Sequence, residues 1–258
     1  MSKIKVYLPD IQQPIEGVLI DNLTYIPLRP VFEALGMKVD YDEAKREVRV
    51  TNKPADPLNK YYPSKQPGLP LAGKIIALDR GHLIGVDPGA VDPIDIKNND
   101  HINSIEAAMN NDYAYDIRIR LEAKGATVFL TTGKDLSERV KQAKKAGAHI
   151  LVSNHMNRVA NAQPEGREIL HNSTPDSLRL ASVIEEEIAL KLPTQKSRGL
   201  KLRADLSLLN WSKYLDIPVA LIEIGFISNV KEEGLLHEAG FRKLAAEGIV
   251  EGIVKYFG

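Results

Sequence analysis

Residues 219–226 read Val219-Ala220-Leu221-Ile222-Glu223-Ile224-Gly225-Phe226, an apolar run broken by a single carboxylate. Short runs of this kind, rich in β-branched residues and leucine, form strands buried on both faces, as in a parallel sheet. Two other stretches share the character. Ile75-Ile76-Ala77-Leu78 leads to Asp79 and His82, and Ile150-Leu151-Val152 leads to His155. Ligands of open α/β sheets gather beyond the carboxyl ends of such strands. Two imidazoles and a carboxylate delivered to that edge from separate strands therefore predict a reaction centre.

Working outward, strands and helices alternate. Strands are predicted at Lys74–Asp79, Thr127–Thr131, His149–Ser153 and Val219–Gly225, with Arg167–His171 as an edge strand. Helices are predicted over Glu106–Lys124, Leu136–Ala146 and Pro175–Leu192. In the first, Met109, Tyr113, Ile117 and Leu121 recur every four residues and mark one buried face. Asn229 with Glu232 offers a capping-box start for a short helix, and Phe241, Ala245, Ile249 and Ile253 run along a terminal one. Repeated β–α alternation predicts an α/β domain over residues 73–258, a mostly parallel sheet flanked by helices on both faces.

Upstream, residues 54–72 carry Pro54, Pro57, Pro63, Pro67 and Pro70 among polar residues and read as a linker. Residues 1–53 read as a small α+β domain of order ββαββ. Its strands lie near Ile4–Leu8, Gly17–Ile20 and Thr24–Ile26; a helix runs through Leu28, Val31, Phe32 and Leu35, and Val39, Tyr41, Val48 and Val50 alternate in a closing hairpin.

Composition narrows the chemistry. Thirty-four basic and thirty-four acidic side chains cancel, and neither sign forms a block, so no nucleic-acid groove or polybasic membrane patch is expected. Cysteine is absent, which excludes disulfides and thiolate-ligated metals. A metal must take nitrogen and oxygen donors. No apolar stretch approaches the ~20 residues of a membrane span, and the first ten residues lack a secretory layout, so either the chain is not exported by that route or a signal has been trimmed.

The candidate residues differ in what they say alone. His82, which follows a turn at Gly81, and His155 would each read singly as a solvated or hydrogen-bonded histidine. Their equivalent places after buried strands favour joint ligation. Glu223, with apolar neighbours on both sides, is expected to be desolvated; it is either half of a structural ion pair or a general base with a raised pKa beside a metal. Glu106 opens a helix, where the dipole alone accounts for a carboxylate.

Beyond these local readings, residues 74–257 resemble the zinc-dependent N-acetylmuramoyl-L-alanine amidases of the amidase-3 type. The shared pieces are Leu78-Asp79-x-Gly81-His82, Asp87-x-Gly89-Ala90, Glu106 ahead of Leu121–Ala126, Leu136–Val140, Ser153-x-His155-x-Asn157, Arg198–Lys201 and Glu223–Asn229. The resemblance implies zinc ligands His82, Glu106 and His155 and a catalytic carboxylate at Glu223. Glu106 gains its role from the resemblance alone. Two histidines and a glutamate leave a fourth position for water, as catalytic zinc requires. The implied substrate is peptidoglycan, cut between N-acetylmuramic acid and L-alanine.

There are departures. Arg80 stands where that family usually has proline, Leu83-Ile84 replace its glycines, and Asn154 and Met156 differ around His155. His101 lies in a polar stretch over 91–104; His149, His171 and His237 read as structural or surface residues. Residues 23–37 resemble the copper amine oxidase N-terminal-like module, but the segment holds neither histidine nor cysteine and predicts no copper site. A monomeric phage endolysin, or a bacterial autolysin whose signal has been removed, fits the whole. The alternatives are a wall-binding protein that no longer cleaves and another zinc amidohydrolase or carboxypeptidase acting within the stem peptide.

Overall fold

The computed structural model describes residues 68–91, 105–160 and 163–258, together with five strands among residues 2–52. The chain divides into two compact units, residues 1–62 and 63–258.

In the first unit, β1 (Ser2–Val6), β2 (Ile15–Ile20) and β3 (Leu23–Tyr25) form an antiparallel sheet in that order. β4 (Met37–Asp42) and β5 (Glu47–Asn52) form a separate antiparallel hairpin that pairs Val39 with Val50 and Tyr41 with Val48. The predicted helix through Leu28–Leu35, most of the proline-rich segment and His101 lie outside the described residues.

The second unit is built on a six-stranded mixed sheet of order β10-β9-β11-β8-β6-β7. Its strands are β6 (Ile75–Asp79), β7 (Thr127–Leu130), β8 (Ile150–Asn157), β9 (Arg167–His171), β10 (Ser197–Leu202) and β11 (Val219–Phe226). Side chains alternate across it. Ile76, Leu78, Ile150, Val152, Ile222 and Ile224 pack on one face with helices α1 (Glu106–Ala123), α3 (Pro175–Lys191), α5 (Val230–His237) and α6 (Ala239–Phe257). Ala77, Leu151, Val219 and Leu221 pack on the other with α2 (Leu136–Lys145) and α4 (Ser207–Tyr214). Leu71, inside the stretch read as linker, is fully buried in the first of these cores. Met109, Tyr113, Ile117 and Leu121 form the buried stripe of α1, as their spacing predicts.

Four features depart from the sequence reading. β9 is not an edge strand: β10 pairs outside it, and β9 runs antiparallel to β11, the one antiparallel pairing in this sheet. The Ser-Arg-Gly-Leu-Lys-Leu run of β10 carries no apolar block, and its pairing shifts register between Ser197 and Leu200. β8 continues through His155 to Asn157, because β11 pairs with it that far. At α5, Asn229 caps the amides of Lys231 and Glu232, but Glu232 does not close a capping box. Its carboxylate accepts from the amides of Gly166 and Phe226 (2.8 Å each), tying the ends of β9 and β11 together.

Candidate metal centre

Asp79 ends β6 as a fastener. Its Oδ1 accepts from Thr131 Oγ1 (2.6 Å) and Arg139 Nη1 (3.0 Å), and its Oδ2 accepts from Ser153 Oγ (2.6 Å). The buried group ties β6, α2 and β8 together directly beneath the histidines. Gly81 then turns the chain at φ 66°, a left-handed conformation that glycine adopts freely. A Cβ there would stand 2.8 Å from His155 Cε1 and 2.5 Å from Asn110 Nδ2. The glycine is required both by the turn and by the close approach of the two histidine-bearing segments.

His82, Glu106 and His155 come together: one donor atom from each lies within 4.8 Å of the others. Glu106, the first residue of α1, is buried and bridges the two rings, with Oε2 3.3 Å from His82 Nε2 and Oε1 2.9 Å from His155 Nδ1. The amides of Ala90 (2.8 Å) and Met156 (3.2 Å) donate to the same carboxylate. Asp87 Oδ2 meets His82 Nδ1 at 2.7 Å, which orients the ring and turns Nε2 toward Glu106. Carboxylate-to-imidazole contacts of this kind fix the tautomer and aim of metal-ligating histidines. Two imidazoles and a carboxylate, with aim and backbone support already set, fit a divalent cation that prefers nitrogen and oxygen donors. Among the described residues the cluster numbers three, which leaves room for water or substrate at a fourth position.

Electrostatics agree with that fit. Hydrogen bonding to Glu106 and then to Asp87 raises His82 to about 9, against the opposing pull of burial. Burial pushes the Glu106 carboxyl up, but the bonds from His155 and His82 overcome it and hold it well below the usual carboxylate range. His155 is lowered by burial and raised more by Glu106 and Glu223.

Glu223 is the register partner of His155 in the parallel β8–β11 pair, so both side chains leave the same face of the sheet. Its Oε2 is sealed from solvent and has no hydrogen-bond partner. Desolvation raises the carboxyl to about 7, with His155 opposing. The structural ion pair offered as one sequence reading of Glu223 is absent among the described residues.

Sequence reasoning missed the support around this group. Glu168 of β9 faces Glu223 across the antiparallel pairing and is held by Asn157 Nδ2 (3.0 Å) and Arg198 Nε (2.9 Å). Nothing in the local sequence marks Glu168, because its place depends on the antiparallel strand. Asp87 stood inside a quoted motif without a role. Of the remaining histidines, His149 Nδ1 accepts from the Ile75 amide (3.0 Å), and His171 is buried against the Asn172 carbonyl (2.7 Å).

A sequence model of the N-acetylmuramoyl-L-alanine amidase family matches residues 76–255, most of the chain and a span that contains His82, Glu106, His155 and Glu223. The chain belongs to this family. A copper amine oxidase N-terminal domain model matches residues 8–57. The chain is 32% identical over 195 residues to the amidase LytC of Bacillus subtilis, covering 73% of this chain but 36% of LytC. It is 28% identical to the germination-specific N-acetylmuramoyl-L-alanine amidase of the same organism, over 73% of this chain and 82% of that protein. Among solved structures, the amidase domain superposes on the catalytic domain of CwlV from Bacillus (Paenibacillus) polymyxa with TM-score 0.62 and 29% identity, covering 71% of this chain and 97% of that one. It superposes on the CwlD amidase of Clostridioides difficile, solved with the GerS lipoprotein, with TM-score 0.60 and 30% identity over 71% and 98%. No described helix is long and apolar enough to cross a membrane.

Proposed function

We propose that this amidase is zinc-dependent and cleaves the amide between the lactyl group of N-acetylmuramic acid and the L-alanine that begins the stem peptide. One observation carries the reading: the His82–Glu106–His155 donor set lies beside a sealed, unpartnered carboxyl at Glu223. Zinc bound to those donors would polarise the amide carbonyl and acidify water.

The chain's own residues supply the rest. His82, Glu106 and His155 hold the cation, and Asp87 keeps the His82 ring in the ligating orientation. Glu223 takes a proton from the attacking water and delivers it to the alanine nitrogen as the carbon–nitrogen bond breaks, leaving a lactyl carboxylate and a free amino terminus. A carboxyl raised to about 7 suits both halves of that transfer near neutral pH. Glu168, locked by Asn157 and Arg198, adds negative charge that helps keep Glu223 basic. Residues 1–53 are read as a wall-attachment domain joined to the catalytic domain by the proline-rich stretch that starts at residue 54 and gives way to the catalytic core by Leu71, and the protein as a monomeric endolysin or autolysin.

The test is digestion of purified peptidoglycan by the zinc-loaded protein, with products identified by mass spectrometry. Intact stem peptides beginning with L-alanine are expected. Fragments cut within the stem would replace this reading with a peptidase acting there.

A further inference from the structure

Beside the cluster, and sharing His82 with it, lies a second feature that the mechanism does not use. A cavity of about 240 Å³ opens between the turn after β6 and the first turns of α1. Its apolar wall comes from Leu83, Ile84, Val86 and Ala107; Ile84 is 66% exposed and Val86 60%. The cation in its lining is Arg80. Its Nη1 donates to Asn111 Oδ1 (2.9 Å), while its Nε is shut from solvent and has no partner. The nearest acid in sequence, Asp79, is already occupied by Arg139, Thr131 and Ser153. Among the described residues, no carboxylate lies within salt-bridge distance of Arg80.

A half-buried guanidinium without a counter-ion costs desolvation that an incoming anion would recover, and its planar fork suits a carboxylate. The aliphatic wall suits a short carbon stem carrying that carboxylate. Resting on the amidase reading, the ligand can be placed. Substrate must present its alanine amide at the His82–Glu106–His155 cluster, and one residue spans only ~3.3–3.6 Å. With the cavity on the peptide side of the scissile amide, the group that reaches it is borne by the residue next to the alanine, and that placement is part of the proposal.

We propose that Arg80 forms an anion subsite that takes a free carboxylate on the second residue of the stem peptide, and so selects stems whose second residue is an acid over those in which it is an amide. Arg80 is then a specificity-determining residue that touches substrate away from the reacting bond.

The test uses two soluble muramoyl dipeptides ending in D-glutamate whose γ-carboxyl is capped as a methylamide, one with a free α-carboxylate, the other its α-carboxamide twin. Binding is read by calorimetry on the full chain, zinc-loaded and carrying Glu223→Gln so that ligand is not consumed. The same titrations are run with Arg80→Gln and Arg80→Lys added. Roughly tenfold tighter binding of the acid is expected, lost in Arg80→Gln and partly kept in Arg80→Lys, as for a charge-assisted hydrogen bond. Equal affinity for the two ligands, or a preference that survives Arg80→Gln, would overturn the subsite. Cleavage is scored separately with Glu223 intact: the acid preference should sit in KM and leave kcat nearly unchanged. Failure to cleave either dipeptide or whole peptidoglycan would count against the amidase reading, while the binding ratio still decides the role of Arg80.

Discussion

Glu223 and His155 are register partners on adjacent parallel strands, one bearing a sealed carboxyl and the other a ring bonded to Glu106. Neighbouring strands lie ~4.8 Å apart, so the acid proposed to move the proton and the ring proposed to bind the metal are set side by side by sheet pairing alone. No loop rearrangement is needed to assemble them.

That placement makes Glu223 a burden on the protein without metal. Its carboxyl titrates near 7 when folded against an ordinary value of 4.5. Below about 4.5 it is neutral folded and unfolded and costs nothing; as pH rises to 7, only the folded state still holds the proton, and stability falls. Glu223→Gln removes this dependence. With chelator present, the variant should gain on wild type from pH 4.5 to 7 and level off above, with a total gain of the order of 3 kcal/mol. Urea denaturation across that range checks it, and a constant difference would refute the assignment.

Metal uptake should release protons. His82 is raised to about 9, so it carries a proton at pH 7 that a cation must displace. Zinc affinity is expected to climb with pH up to about 9, with release of about one proton or more at pH 7. Calorimetry in buffers of differing ionisation heat measures that release directly.

Asp87 touches the cluster only through His82 Nδ1. Asp87→Asn should retain the fold and weaken zinc binding by roughly 10–100-fold, the usual cost of losing a carboxylate behind a ligating histidine. Competition with a fluorescent chelator gives the number, and unchanged affinity would show that the ring is oriented by other means.

Arg139 pairs with Asp79 below the site, with both side chains almost wholly buried. Arg139→Ala leaves that carboxylate without its counter-ion and should cost about 3–5 kcal/mol of stability. Thermal and urea unfolding of the zinc-loaded variant test this; a loss under 1 kcal/mol would mean that Thr131 and Ser153 suffice.

Much of this was legible in the residues. β6, β8 and β11 announced themselves because strands buried on both faces leave continuous apolar runs, and His82, His155 and Glu223 stood out against that background. β10 and the antiparallel turn of β9 were hidden, since a Ser-Arg-Gly-Leu-Lys-Leu edge strand has one solvated side and no such run. Glu106 illustrates a different limit. At the start of a helix a carboxylate has an ordinary explanation, and only the fold brings it between two rings that lie 24 residues before it, in the turn after β6, and 49 after it, on β8. Glu232 shows the converse: the capping-box pattern was real in sequence, yet the acid went to the tertiary amides of Gly166 and Phe226.

The proposed mechanism divides the labour: three residues hold the metal and Glu223 moves the proton. It is tested most directly by counting new amino-terminal alanines released from purified peptidoglycan by zinc-loaded Glu223→Gln beside wild type, with bound zinc measured in the same samples. One zinc per chain in both proteins, with alanine release lowered by roughly 10²–10⁴-fold in the variant, is the expected result. Release near the wild-type rate from a variant that still holds its zinc would contradict it.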